Sequence, residues 1–187
     1  MRVLIDRKGL QASQHLRDRL RLSVFLTELL SMECWVAYSP LATFSKDDLH
    51  GCDILVITTR PSQQLDYTPA EIRDIRDFVH GGGGLLLASS HADWPGVNGT
   101  DYSQYDARLA REFGVTIEQT FFRQPVRRDR TTLSGSALNT QHPIISGAPG
   151  ERPIRSIVTN TCCSVTSDAG QWVVALAPDM VDRHGGL

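Results

Sequence analysis

No apolar run in this chain approaches the ~20 residues a helix needs to span a bilayer. The opening Met1-Arg2-Val3-Leu4-Ile5-Asp6 turns polar after three apolar residues, so it lacks the long hydrophobic region of a signal peptide. A cytoplasmic protein without membrane insertion is the expectation. Cysteine is scarce: Cys34, Cys52, Cys162 and Cys163 show no CxxC spacing and no histidines at zinc-finger distances. The adjacent Cys162-Cys163 cannot close a structural loop, and cytosolic thiols stay reduced, so the pair reads as two small residues in or beside a strand. An excess of one charge is also missing. Nineteen basic against 21 acidic residues leave a net charge of −2, which argues against a general nucleic-acid or anionic-membrane binder. The one basic cluster, Arg123, Arg127, Arg128 and Arg130, reads as a solvated loop or edge strand. Neither GxxxxGKS/T nor GxGxxG stands between a strand and a helix, and there is no helical HExxH, so no nucleotide, metal or other cofactor is implied.

What is present describes a folded α/β chain. With 187 residues, 41% hydrophobic and 21% charged, it has the size and composition of one globular domain, residues 1–187. Val3-Leu4-Ile5 is a short buried strand ending in Asp6. From Ser13 to Ser31, Leu16, Leu20, Val24, Leu26 and Leu30 recur near helical spacing. Cys34 to Tyr38 reads as a second strand stopped by Ser39-Pro40, and Asp53 to Thr58, uniformly apolar and β-branched, as a central one. Thr68-Pro69-Ala70-Glu71 announces a helix with a capping box and proline in the first turn. That helix ends at His80 before Gly81 to Gly84, through left-handed glycine geometry, and Leu85 to Ala88 returns as another buried strand. Strand, right-handed crossover and parallel strand is the connection this order predicts.

The second half is patterned more weakly. A helix is expected from Ser103 to Phe113 with Gly114 as its cap, then strands at Val115–Phe122, Ile154–Ile157, Cys163–Thr166 and Trp172–Ala177. These form a mixed or antiparallel C-terminal addition to an open, mainly parallel three-layer sheet. The end, His184-Gly185-Gly186-Leu187, looks like a turn leading into an absent strand, and a truncated C-terminus is the expectation.

In open parallel sheets ligands bind beyond the carboxyl ends of the strands. That rule selects Asp6, Arg60, Ser90, His91 and Asp93 as candidate ligand-binding residues, with Arg7, Thr59 and Ser89 beside them. The four-glycine run follows a helix and precedes a strand, the reverse of a phosphate cradle, and reads as helix termination. Ala88 and Ala92 flank Ser90 with the small residues that a nucleophile turn requires, but no sequence feature brings His91, His142 or His184 within reach as its base. His91 and Asp93 could hold a metal, yet His-x-Asp alone is a weak signature.

Several segments taken together resemble a known family. They are Asp53-Ile-Leu-Val-Ile, the Tyr67-Thr-Pro-Ala-Glu helix start, Phe78-Val79-His-Gly-Gly-Gly-Gly-Leu-Leu-Leu, Leu109-Ala-Arg-Glu-Phe-Gly-Val and His142-Pro-Ile-Ile-Ser-Gly. Over about residues 1 to 177 the chain resembles the class I glutamine amidotransferase-like superfamily. Within it the likeness is to the non-amidotransferase branch, which includes an intraflagellar-transport N-terminal domain, a gliding-motility ABC-transporter auxiliary component and bacterial members of unknown function. The resemblance implies a flavodoxin-like sheet and a further strand after the Trp172 region. It also implies a cysteine in the turn after the Leu85 strand, followed downstream by a His and a Glu. This chain has Ser89-Ser90-His91 there and no His-x-Glu, so glutaminase chemistry is not expected. The expectation is a non-catalytic module that binds a small ligand or a protein partner at the strand ends, with a homodimer allowed. The rivals are a hydrolase using Ser90, or a metal on His91 and Asp93, and a structural or assembly subunit.

Overall fold

The computed structural model describes residues 1–8, 20–40, 43, 45–58, 60, 66–92, 101–123, 130–159, 162–176 and 180–182. They fall into two compact units, Met1–Ser90 with Trp94–Phe113, and His91–Asp93 with Gly114–Leu187. The fold is mixed α/β: a four-stranded parallel sheet accompanied by small antiparallel sheets. Among the described residues no helix is long and apolar enough to cross a membrane.

In the first unit, β1 (Arg2–Ile5), β2 (Trp35–Tyr38), β3 (Ile54–Thr58) and β4 (Gly84–Ala88) lie in the order β2-β1-β3-β4, all parallel. The alternation of side chains sorts the central strands onto two faces. Val3, Ile5 and Val56 point to one face, where they pack on Phe25, Leu26 and Leu29 of α1 (Leu20–Ser31). Leu4, Leu55 and Ile57 point to the other, against Ile75 of α3 (Pro69–His80) and Leu109 of α4 (Tyr102–Arg111). A one-turn helix, α2 (Lys46–Leu49), precedes β3 and adds Leu49 to that second cluster. The expected helical stretch before Leu20 lies outside the described residues.

Helix α3 starts as its sequence requires. Thr68 Oγ1 accepts from Glu71 N at 3.1 Å, and Glu71 Oε2 accepts from Thr68 N at 3.0 Å, which closes the capping box. Its end is more particular than expected. Gly81, the cap, has φ −77, and the left-handed residue is Gly82 at φ +99. Gly83 serves a different purpose: a Cβ there would overlap the Phe78 ring, which lies against bare backbone. Strand β4 is less buried than expected. Leu86 is 49% exposed, because β4 is the outer strand of the described sheet and only Leu85 and Leu87 reach a packed face.

The second unit contains three two-stranded antiparallel sheets among its described residues. In them β5 (Val115–Ile117) pairs with β9 (Val165–Ser167), β6 (Phe122–Arg123) with β10 (Val181–Asp182), and β7 (Thr131–Ser134) with β8 (Ser156–Thr159). Phe122, Leu133, Ala137 and Met180 form its core. The single strand expected from Val115 to Phe122 is two strands, because its halves have different partners, and Phe121 N turns to Asp182 Oδ1 at 3.0 Å. The strand expected at Trp172–Ala177 is, over its described residues, one isolated bridge from Val174 to Leu138. Its partner is the end of a 3₁₀ turn at Gly135–Ala137, which offers too little extended backbone for a ladder. A helical turn, α5 (Pro143–Ser146), has His142 as its N-cap, with Nδ1 accepting from Ile144 N at 3.2 Å.

Candidate functional site at the strand ends

The chain runs from β1 outward to β2, then crosses to β3 on the other side and continues to β4. The order therefore reverses between β1 and β3, the kind of switch point at which open parallel sheets bind ligands. Asp6 is the first residue after β1 and Arg60 lies two residues after β3, so the topology brings the pair to this reversal. Arg60 Nε donates to Asp6 Oδ2 at 3.0 Å, and both side chains are fully buried. The remaining Asp6 oxygen, Oδ1, lies 3.3 Å from both Ser39 Oγ and Lys8 N. Ser39, the first residue after β2, in turn accepts from Arg7 N at 2.9 Å. One carboxylate thus ties together the ends of three strands.

A second carboxylate extends the network. Glu71 is fully buried in the first turn of α3; its Oε1 is 2.9 Å from Lys8 Nζ and 3.5 Å from Arg60 Nη2, while Oε2 closes the capping box. Burial pushes the Glu71 carboxyl up, but the Thr68 amide, the Lys8 ammonium and Arg60 outweigh it and hold the group below the usual glutamate range. For Arg60, burial disfavours the charge, yet Asp6 first and Tyr67 and Glu71 after it keep its pKa above the ordinary value. The guanidinium lies 4.0 Å over the Tyr67 ring, which supplies cation–π attraction in a desolvated setting.

Tyr67 connects this network to a third carboxylate. Its hydroxyl donates to Asp106 Oδ1 at 3.2 Å, and Ser89 Oγ donates to Asp106 Oδ2 at 2.9 Å. Asp106 is fully buried on α4. Burial, and then the Asp106 charge, raise the Tyr67 phenol well above its usual range, so it stays a protonated donor. The arrangement is a chain of linked polar groups, Asp6 to Arg60 to Tyr67 to Asp106 to Ser89, with the half-buried Ser89 at its end.

The structure brings together Asp6 and Arg60 among the residues expected from sequence. Ser90 is half-buried at the end of β4. His91 belongs to the second unit; there its Nδ1 bonds the Ala92 carbonyl, and its ring meets Phe121 edge-on at 4.3 Å. Asp93 lies outside the described residues, as do Thr59, Arg127, Arg128 and His184. Among the described residues no group of three or more His, Cys, Asp or Glu side chains could hold a metal ion. Cys162 stands beside a strand, in a bridge to Phe122, and burial followed by the neighbouring Cys163 pushes its thiol up to about 11.

Sequence reasoning missed Lys8, Ser39, Tyr67 and Asp106 as members of this network, placed Ser89 only beside the candidates, and saw Glu71 only as a cap. Asp106 carried a signal: it is a lone acid among Tyr105, Ala107, Leu109 and Ala110, all buried residues of α4. A charge on such a face needs a partner.

At the opposite, amino-terminal end of β3 and β4 lies a groove of about 450 Å³ whose walls include Lys46, His50, Cys52, Asp53, Asp74 and Phe78. Two of its carboxylates serve backbone amides: Asp53 Oδ2 accepts from Arg2 N at 2.6 Å and Asp74 Oδ2 from Lys46 N at 3.1 Å.

No described protein family and no curated protein matches this chain. Among solved structures it is similar to a ThuA-like protein from Bacteroides uniformis, at 14% identity and a TM-score of 0.49. The similarity covers 86% of this chain and 58% of that one.

Proposed function

We propose that this chain is a non-catalytic, amidotransferase-like module of flavodoxin-like topology, which binds a small ligand or a protein partner at the carboxyl ends of its parallel strands. The observation that carries this reading is the consumption of the ionisable groups at the β1/β3 reversal. Asp6 and Arg60 hold each other at 3.0 Å with no exposure, so neither is presented to solvent as an acid or a base. Their role is to lock the strand ends into a rigid floor, above which Ser89 and Ser90 retain partial exposure. A rigid floor beside half-buried serines suits recognition better than proton transfer, since a general acid or base must reach the proton it moves.

The test is a thermal-shift and calorimetric screen of small polar compounds on the purified protein, with turnover of each hit followed in parallel. A hit is expected to raise the melting temperature by mass action, to lose affinity in Ser90→Ala, and to be recovered unchanged. Labelling of Ser90 by a fluorophosphonate, or a stoichiometric metal in the purified protein, would replace this reading with a hydrolase.

A further inference from the structure

We infer that the strand-end site selects ligands that donate hydrogen bonds, neutral or cationic N–H or O–H compounds, and rejects anions. This rests on the binding reading just given and specifies its ligand chemistry.

The argument is a proton inventory. An ionised carboxylate only accepts, so each of its partners must donate. Asp106 takes the Tyr67 hydroxyl proton on Oδ1 and the Ser89 hydroxyl proton on Oδ2. A serine hydroxyl has one proton and two lone pairs. With its proton committed inward to a buried carboxylate at 2.9 Å, Ser89 can offer only lone pairs outward. The half-buried end of the network is therefore an acceptor.

Charge points the same way. Among the described residues the cations of the network, Lys8 and Arg60, already face Glu71 and Asp6 across 2.9 and 3.0 Å. Against them stand three buried carboxylates, Asp6, Glu71 and Asp106. An arriving carboxylate or phosphate would meet an acceptor hydroxyl backed by the Asp106 carboxylate, while Lys8 and Arg60 are engaged by Glu71 and Asp6. An ammonium or amide N–H would meet a lone pair backed by the Asp106 charge, and hydrogen bonds in such polarised chains reinforce one another.

The experiment is a ¹⁵N–¹H titration of the full chain with ethylammonium chloride, N-methylacetamide and sodium acetate at constant ionic strength, read at the Ser89 and Ser90 amides. Saturable shifts are expected with the first two and not with acetate. Ser89→Ala should abolish them and Ser89→Thr, which keeps the hydroxyl, should restore them, with melting curves confirming that each variant is folded. Saturable shifts with acetate that exceed those with ethylammonium overturn the donor preference and leave the binding reading standing. Shifts that persist in Ser89→Ala overturn the assignment to Ser89. No shift at the strand ends with any of the three counts against the preference and also against the binding reading beneath it.

Discussion

Arg60 shows at the residue scale what burial does to a charge. Its guanidinium is fully buried between Asp6 and Glu71 and over Tyr67, a position tolerable only because opposite charges and a ring face replace the lost water. Removing one partner strands the other. Arg60→Met should therefore cost about 3–5 kcal/mol of unfolding free energy in urea titrations, as for other broken buried pairs. Asp6→Leu combined with Arg60→Met should be less damaging than the two single costs summed, since the uncompensated charge is then gone. A double variant whose loss equals that sum would mean that the two residues are energetically independent. Asp6 also serves Ser39 and the Lys8 amide, so the recovery is expected to be partial.

Helix α3 is the element on which packing and site meet. Its capping box was readable as Thr68-Pro69-Ala70-Glu71, but Glu71 also faces Lys8 and Arg60, so one side chain both starts the helix and pairs the site's cations. At its other end the glycine run does more than stop the helix, because the Phe78 ring occupies the place where residue 83 would carry a Cβ. Gly83→Ala is expected to lose about 1–3 kcal/mol through this overlap, the usual cost of overpacking. Phe78→Leu in the same chain should return part of that loss by withdrawing the ring. A denaturant-based double-mutant cycle checks it, and additive losses would rule out the steric cause.

For the whole molecule, protection should follow burial rather than the kind of ladder alone. In the first unit Val3, Ile5, Leu55 and Ile57 are at most 1% exposed and their strands have helices on both faces. In the second unit β9 is exposed along all three residues and, among the described residues, pairs with β5 alone. Amide exchange is expected to be slowest across β1 and β3 and much faster across β9. Equal protection of β9 and β3 in mass-spectrometric or NMR exchange would contradict this.

By itself the sequence determined the elements whose signals are local. Apolar β-branched runs mark β1 and β3 because a strand buried on both faces admits little else, and Thr68, Pro69 and the run from Gly81 to Gly84 mark helix ends because capping is a matter of a few neighbouring residues. It also singled out Asp6 and Arg60, since they stand one and two residues beyond apolar strands. What it could not express was pairing between distant positions: Glu71 with Lys8, Tyr67 with Asp106, and Asp106 with Ser89 are separated by 63, 39 and 17 residues. The same limit applies to the second unit, where the break between β5 and β6 depends on which later strand each half meets. Only the tertiary structure decided that the charges at the strand ends are spent on one another. Ion pairing depends on distance through space, and nothing local in the chain encodes it.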